Sequence, residues 1–309
     1  MSTAPAVQLD RAVTTSCHEN VVLNLGGRQA SVLALAQFHE WRGAVAWSIE
    51  RRTQHVALVT MNTNKANAQN PTFFDDLHRA FDRLETEFKD CGVVLTGTGR
   101  VFSAGLDFDY HFPLFARRST REVDAWFEAY RATNLRIFTY PRPTVAAING
   151  HAYAGGLITA LDCDLRIAAA GDLQFALNEV PIGIPMPAVY CEIIKHAVGT
   201  PSANEMTLFG QVYDLAAAQR MGVVNRIVPA ERLIEEAVVW AGAVEPGCYP
   251  AYEFTKRASQ AATLRAIDDA RRLDLDLLAN RMTDPGSLRA HARRYRELKG
   301  RDPTWKISS

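Results

Sequence analysis

The sequence lacks a surplus of charge of either sign. It carries 34 Lys and Arg residues against 34 Asp and Glu residues, so its formal net charge at pH 7 is zero. A dedicated nucleic-acid-binding protein needs a basic surface, and the neutral total argues against that class. Hydrophobic residues make up 48% and charged residues 22% of the 309 residues, which is the composition of a globular protein and not of a disordered one.

The sequence also lacks the spacings that are typical of metal and disulfide sites. Its five cysteines are scattered and include no Cys-x-x-Cys pair, which argues against a disulfide framework or a thiolate zinc site and favours a reducing compartment. Its eight histidines include no His-Glu-x-x-His motif. We therefore expect no metal site in this chain.

Signals for membrane insertion or export are missing as well. Residues 143–161 contain no Asp, Glu, Lys or Arg and approach the length that spans a bilayer, but Asn149, Gly150 and His151 interrupt them, so buried core is the better interpretation. The first 20 residues lack a charged start followed by an apolar block, and we expect no signal peptide. These features favour a cytoplasmic protein with no membrane span.

Short apolar strands alternate with amphipathic helices from Trp47 onwards. Residues 46–62 predict a β-hairpin, Pro71 opens a helix with one apolar face, and residues 121–139 form a second such helix. The order of elements predicts an α/β layered fold. Further strands are predicted at 92–96, 144–148, 165–168 and 173–176, and the chain beyond residue 229 is predicted to be mostly helical.

Two glycine-containing loops follow buried strands at positions where a helix can begin. They are FSAGLDF (102–108) and NGHAYAGGLI (149–158). The first N–H groups of a helix have no partner within it, and small residues let a ligand approach the backbone, so the two loops could direct two N–H donors at one oxygen. The alternative is that both are ordinary turns.

Glu179 is a single carboxylate in an otherwise apolar stretch that follows the predicted strand 173–176. Removal from water would raise the pKa of such a group and make it a candidate general base. The alternative is a surface glutamate at a strand end.

Taken together, these segments resemble the crotonase, or enoyl-CoA hydratase/isomerase, superfamily. The resemblance covers about residues 46–260. It rests on four segments in the family's order, which are VVLTGTGRVFSAGLDF (93–108), PTVAAINGHAYAGGLITALDCDLRIAA (143–169), LNEVPIGIP (177–185) and FGQVYDLAAAQRMGVVNRIVPAERL (209–233).

The family resemblance implies a fold and an organisation of the chain. The fold is a crotonase-like spiral of repeated ββα units with a C-terminal helical trimerisation region. The chain then divides into an N-terminal extension of unknown role (1–45), the spiral core (46–230) and the C-terminal helical region (231–309). A homotrimer or a dimer of trimers is implied.

The family resemblance also implies the chemistry. The N–H groups of Leu106 and Gly155 match the two donors that hold the oxygen of an acyl thioester, and Glu179 matches the catalytic glutamate. Hydratases of this family carry a further glutamate at the position of Ile158, which cannot transfer a proton. One glutamate favours a double-bond shift, and the motifs look most like those of Δ3,Δ2-enoyl-CoA isomerases. The acyl-CoA is the substrate, and no resident cofactor is implied.

Residues that bind coenzyme A are also matched by position. Lys65, Ala66 and Ala68 lie in the segment that wraps the coenzyme in the family, and Lys256 resembles a lysine that reaches the nucleotide of a neighbouring subunit. For both lysines the alternative is a solvated surface charge. The remaining matched positions in the first loop are Ala104, Gly105 and Asp107.

Several alternatives stay open at the level of sequence. The acyl chain could be bound to a carrier protein in secondary metabolism, with an isomerase or dehydratase activity. The enzyme could instead be a hydratase or hydrolase with a replacement acid, for which the candidates are Tyr110, His111, His151 and Tyr190. A scaffold without catalysis, or an RNA-binding member of the family, is the alternative from a different class, and the zero net charge argues against the RNA-binding version.

Overall fold

The computed structural model describes residues 47–274 and 278–306. The predicted N-terminal extension, residues 1–45, lies outside this range. The strands are β1 (Ser48–Thr53), β2 (Val56–Met61), β3 (Gly92–Gly97), β4 (Val101–Ser103), β5 (Thr144–Ile148), β6 (His151–Tyr153), β7 (Leu165–Ala169), β8 (Gln174–Ala176), β9 (Val212–Asp214) and β10 (Arg226–Val228).

Helices alternate with these strands and then dominate the C-terminal part. They are α1 (Pro71–Glu87), α2 (Phe108–Ala116), α3 (Thr120–Phe138), α4 (Gly155–Leu161), α5 (Ala188–Val198), α6 (Thr200–Phe209), α7 (Leu215–Arg220), α8 (Leu233–Ala241), α9 (Tyr249–Leu273), α10 (Ala279–Met282) and α11 (Pro285–Lys299). Three single turns of 3₁₀ helix lie at Val180–Ile182, Ala230–Arg232 and Pro246–Cys248. The predicted hairpin, the helices from Pro71 and over 121–139, and the predicted strands are therefore confirmed.

The strands form two sheets that the chain visits in alternation. The order is β1-β2-β3-β5-β7-β10 in the six-stranded sheet and β4-β6-β8-β9 in the four-stranded sheet. Each successive turn of chain adds one strand to each sheet, as β3 and β4, then β5 and β6, then β7 and β8. This repeated ββα course, with neighbouring turns paired in parallel, is the crotonase-like spiral that the sequence predicted.

The first helix shows why the local sequence folds as it does. The Asn70 side chain accepts a hydrogen bond from Phe73 N at 3.1 Å, and Pro71 occupies the first helical position, where no N–H is needed. Phe73, Leu77 and four further apolar residues at helical spacing are buried. The strands β3 and β5 lie at the centre of the six-stranded sheet and are buried along their whole length.

The long uncharged stretch 143–161 is part of this core, as predicted. It contains β5, β6 and α4, each folded back on the previous element. Among the helices of the described ranges, none has the length and hydrophobicity needed to cross a membrane.

Helices of the C-terminal part pack back on the spiral. Helix α9 packs against α5, and α11 packs against α2. Asp109 at the start of α2 accepts hydrogen bonds from Tyr295 Oη at 2.7 Å and from Lys299 Nζ at 2.6 Å. The predicted division of the chain at residues 45 and 230 stays a prediction, and so does the trimer.

Candidate active site

The two glycine-containing loops leave neighbouring strands of the four-stranded sheet. Strand β4 leads into Ala104, Gly105 and Leu106, and β6 leads into Ala154 and Gly155; the two strands pair in parallel, so both loops emerge at the same edge. Gly105 has φ +76°, and a Cβ built there would lie 2.8 Å from Ala154 Cβ and 2.9 Å from Gly155 N. A glycine is therefore required for the two loops to come this close.

The direction of the Leu106 N–H follows from its neighbours. Gln69 forms an isolated parallel bridge with this loop. Gln69 N donates to Gly105 O at 2.8 Å, and Asp107 N donates to Gln69 O at 2.8 Å. Because both bonds come from the residues that flank Leu106, the N–H of Leu106 points away from Gln69.

Gly155 supplies the second predicted donor. It is the first residue of α4, so its N–H has no acceptor inside the helix. A side chain at this position would overlap the Tyr130 hydroxyl and the Gln69 side-chain amide. Leu106 and Gly155 line one pocket, which is the arrangement that two donors to a single oxygen require.

Glu179 lies in the same pocket. It follows β8, which pairs in parallel with β6, so it comes to lie beside the start of α4. Its relative exposure is 6%, and its Oε2 has no hydrogen-bond partner among the described residues. Burial raises the pKa of Glu179 to about 7, which confirms the expectation of a raised pKa. The alternative of a surface glutamate is wrong.

The pocket is small and almost wholly apolar, with a volume of about 30 Å³. Ile158, where hydratases of this family are expected to carry a glutamate, forms part of its wall and is 1% exposed. Among the described residues that line it, Glu179 is the one carboxylate. The lining residues are Leu106, Phe108, Trp126, Tyr130, Ala154, Gly155, Ile158, Glu179, Ile182, Ile184, Pro187, Tyr190 and Met282.

The predicted coenzyme-binding segment lies against the first loop. Ala104 N donates to Ala66 O at 3.0 Å. The N–H groups of Ala66 and Ala68 donate to Asn64 Oδ1 at 3.1 and 3.0 Å, so both amides already have an acceptor within the chain. Lys65 is exposed. A contact of this segment with coenzyme A stays a prediction.

Asp107 has a structural role that the sequence did not indicate. Its side chain caps α2 by accepting from Asp109 N at 3.1 Å, and it also accepts from Asn70 Nδ2 at 3.2 Å. It does not line the pocket with Glu179.

Lys256 lies elsewhere, in a larger open cleft of about 330 Å³ that it shares with Asp164, Arg166 and Tyr252. Its relative exposure is 7%, and its Nζ lies 2.8 Å from Asp164 Oδ1. The description of this lysine as a solvated surface charge is therefore wrong, and reaching a nucleotide would require the ammonium group to leave Asp164.

Of the four candidate replacement acids, only Tyr190 lines the pocket. Its hydroxyl accepts a hydrogen bond from Asn134 Nδ2 at 3.2 Å. His111 is fully buried outside the pocket, and burial lowers its pKa to about 4.

The other two candidates also lie outside the pocket. His151 Nδ1 accepts a hydrogen bond from Gln174 N at 3.1 Å, and Tyr110 borders a groove next to Asp107.

Sequence reasoning missed further residues at the site, among them Gln69, Trp126 and Tyr130. Trp126 and Tyr130 lie in the helix predicted over 121–139, and the structure shows that they line the pocket. Their rings stack in near-parallel planes, with centroids 5.5 Å apart. Gln69 gave no signal, because its contacts are with residues far away in the sequence.

Comparisons with known proteins show which family the chain belongs to. Residues 51–306 match the family model described as enoyl-CoA hydratase/isomerase. A putative enoyl-CoA hydratase of Thermus thermophilus is 35% identical over 225 residues, which cover 71% of this chain and 86% of that protein. The hydroxycinnamoyl-CoA hydratase-lyase of Pseudomonas fluorescens is 28% identical over 242 residues, covering 72% of this chain and 84% of that protein.

Solved structures show the same relationship. Human mitochondrial Δ3,Δ2-enoyl-CoA isomerase superposes with a TM-score of 0.74 at 25% identity, covering 82% of this chain and 98% of that chain. The family resemblance of the sequence is thereby confirmed, and with it an enzyme family whose substrates are acyl-CoA thioesters. The chain belongs to the enoyl-CoA hydratase/isomerase family of the crotonase superfamily.

Proposed function

We propose that the protein is an acyl-thioester double-bond isomerase in which Glu179 is the sole proton carrier. The observation that carries the proposal is the apolar pocket whose lining includes Leu106 and Gly155, one carboxylate, and Ile158 at the position of a second carboxylate. Glu179 removes a proton from C2 of a 3-enoyl thioester, the N–H groups of Leu106 and Gly155 hold the oxygen of the resulting enolate, and Glu179 returns the proton to C4. Each step balances without a metal, cofactor or water.

The other titratable groups of the pocket support this assignment. Burial raises the pKa values of Tyr130 and Tyr190 well above the usual value for tyrosine, so neither is ionised at pH 7. Their hydroxyl groups are hydrogen-bonded to Gln69 and Asn134 respectively. The similarity to human Δ3,Δ2-enoyl-CoA isomerase supports the same reaction class.

Hydration of a 2-enoyl thioester is the second candidate, because the relative from Thermus thermophilus is named a putative enoyl-CoA hydratase. A hydratase commonly needs two groups to manage the water and the proton, and the pocket offers one carboxylate. The two reactions differ in product, since hydration yields a 3-hydroxyacyl thioester and isomerisation yields an isomer of unchanged mass.

The test is turnover of 2-enoyl-CoA and 3-enoyl-CoA by the wild type and by Glu179→Gln, in ordinary and deuterated water. We expect isomerisation by the wild type and a loss of about 10²–10⁴-fold in kcat for the variant, which keeps the shape of the side chain but cannot carry the proton. Glu192→Gln is the matched control, because Glu192 pairs with Lys195 outside the pocket. Wild-type turnover by Glu179→Gln, or 3-hydroxyacyl-CoA as the main product, would refute the proposal.

A further inference from the structure

Gln69 is a fully buried polar residue in the segment between β2 and α1, and its main chain holds the first loop. Its N–H donates to Gly105 O and its carbonyl accepts from Asp107 N, both at 2.8 Å. These two bonds lie on either side of Leu106 and therefore fix the plane in which the Leu106 N–H points.

The side chain of the same residue holds the second loop. Gln69 Nε2 donates to Gly155 O at 3.1 Å and to Thr159 Oγ1 at 2.9 Å, both in α4. One residue thus connects the peptide groups around both predicted donors, through its backbone on one side and its side chain on the other.

Hydrogen-bond accounting fixes the orientation of the Gln69 amide. Thr159 Oγ1 donates its only proton to Gly155 O at 3.0 Å, so towards Gln69 it can act only as an acceptor. The group of Gln69 that faces it must therefore be the NH₂ group and not the amide oxygen. The amide oxygen then faces Tyr130 Oη at 3.1 Å and accepts its proton. A flipped amide would place its oxygen against the Gly155 carbonyl, two acceptors without a proton between them.

We propose that Gln69 is a positioning residue that sets the separation and direction of the Leu106 and Gly155 amides, with Tyr130 locking the amide in place. The inference rests on the proposed function, because it concerns the site at which the enolate oxygen is held. A displacement of about 1 Å within an active site can reduce the rate by about 10²-fold. The orientation of the Gln69 amide also means that the Tyr130 hydroxyl proton points at Gln69 and is not available to the substrate.

The test uses Gln69→Leu, which keeps the main-chain bonds to Gly105 and Asp107 and removes the side-chain bonds to α4. We expect kcat for isomerisation of a 3-enoyl-CoA to fall by about 10–100-fold, with KM changed less than about threefold, because the lost alignment matters most when charge develops on the oxygen. The second readout is the infrared carbonyl stretch of butanoyl-CoA labelled with ¹³C at C1, a ligand that cannot isomerise. Two aligned donors lower this frequency in the wild type, and we expect the lowering to shrink in the variant.

Gln260→Leu is the matched control. Gln260 is also a buried glutamine whose Nε2 donates to a backbone carbonyl, that of Phe138 at 2.7 Å, but it does not line the pocket. We expect it to lower Tm without changing kcat or the carbonyl frequency. Should Gln69→Leu fail to fold, Tyr130→Phe carries the test, because it removes the hydroxyl that donates to the Gln69 amide oxygen and so weakens the hold of this side chain on α4. Both readouts should then shift in the same direction by a smaller amount.

The outcomes separate the inference from the proposed function. Wild-type kcat and carbonyl frequency in Gln69→Leu, or in Tyr130→Phe if that variant carries the test, together with an inactive Glu179→Gln, would overturn the role of Gln69 and leave the isomerase intact. A wild type that does not isomerise 3-enoyl-CoA would overturn the function, whereas the carbonyl frequency would still report whether Gln69 aligns the two amides.

Discussion

Glu179 combines two properties that a general base at neutral pH requires. Its carboxylate is buried among apolar residues, and this burial moves its pKa to about 7. A carboxylate with its ordinary pKa would be ionised at pH 7 but would be a weaker base. Burial lowers the fraction of Glu179 that is ionised at a given pH, and it also makes the ionised carboxylate a stronger base. The rate depends on the product of these two quantities, which is greatest when the pKa lies near the working pH.

This pKa predicts the pH dependence of the reaction. Glu179 must be ionised to accept a proton, so kcat/KM for a 3-enoyl-CoA should rise about tenfold per pH unit at acidic pH and level off above about pH 7. The measurement is a series of initial rates from pH 5 to pH 9 at constant ionic strength, with circular dichroism at each pH to show that the fold persists. A profile that is flat down to pH 5 would contradict the assignment of Glu179 as the base.

The residues of the site differ in how far they could be predicted from sequence. Glu179, Leu106 and Gly155 stand out because each belongs to a short local pattern, a carboxylate in an apolar run or a small residue after a strand. Gln69 and Tyr130 form their hydrogen bond across 61 positions, and Gln69 reaches Gly155 across 86 positions. No local pattern encodes such contacts, because they depend on how the spiral brings separate turns together.

At the scale of elements, the strands that were not predicted from the sequence are β9, β10 and, next to the site, the short strands β4 and β6. Both fall in segments interpreted as loops, and each has three residues, too few to show an alternation of apolar and polar side chains. Pairing with neighbouring turns makes them strands, and their parallel alignment brings the two donor loops together.

The contact between β4 and α4 depends on a glycine and predicts the effect of removing it. A Cβ on Gly156 would lie 2.6 Å from the carbonyl carbon and from the Cβ of Ser103, which is itself fully buried. Since backbone atoms cannot give way as a flexible side chain does, Gly156→Ala should push α4 away from β4. We expect a loss of about 1–3 kcal/mol in the free energy of unfolding and a fall in kcat, since Gly155 and Leu106 would move apart.

Urea denaturation and turnover measure this effect, and Gly247→Ala provides the comparison. A Cβ at Gly247 would meet no atom within 4 Å, so that variant should stay within about 0.5 kcal/mol of the wild type. Equal stability of Gly156→Ala and the wild type would mean that α4 and β4 do not pack as described.

At the scale of the whole molecule, the pocket is built by two distant parts of the chain. All of its lining residues but one lie between Leu106 and Tyr190, and the exception is Met282 in α10. The following helix, α11, is held on α2 by the bonds of Tyr295 and Lys299 to Asp109. The C-terminal helices therefore contribute one wall residue to a site whose reactive groups all come from the spiral core.

Met282 accordingly predicts which acyl chains are accepted. A pocket of about 30 Å³ has room for about one water molecule, so side chains must move when an acyl chain enters. Met282 is unbranched and flexible, so it can move aside, and replacing it with a shorter residue should enlarge the pocket. Met282→Ala should raise kcat/KM for 3-decenoyl-CoA relative to 3-hexenoyl-CoA by about tenfold. It should also lower the free energy of unfolding by about 2–5 kcal/mol, because Met282 is 1% exposed.

Met206→Ala separates the two effects, since Met206 is equally buried in α6 but does not line the pocket. It should lose comparable stability and keep the wild-type ratio of kcat/KM for the two thioesters. If both variants change that ratio alike, general loosening of the fold sets chain length; if neither does, the acyl chain leaves the pocket in another direction. A change confined to Met282→Ala would mean that a side chain contributed by the C-terminal helices limits the substrate of a base and two amides that lie more than 100 positions earlier in the sequence.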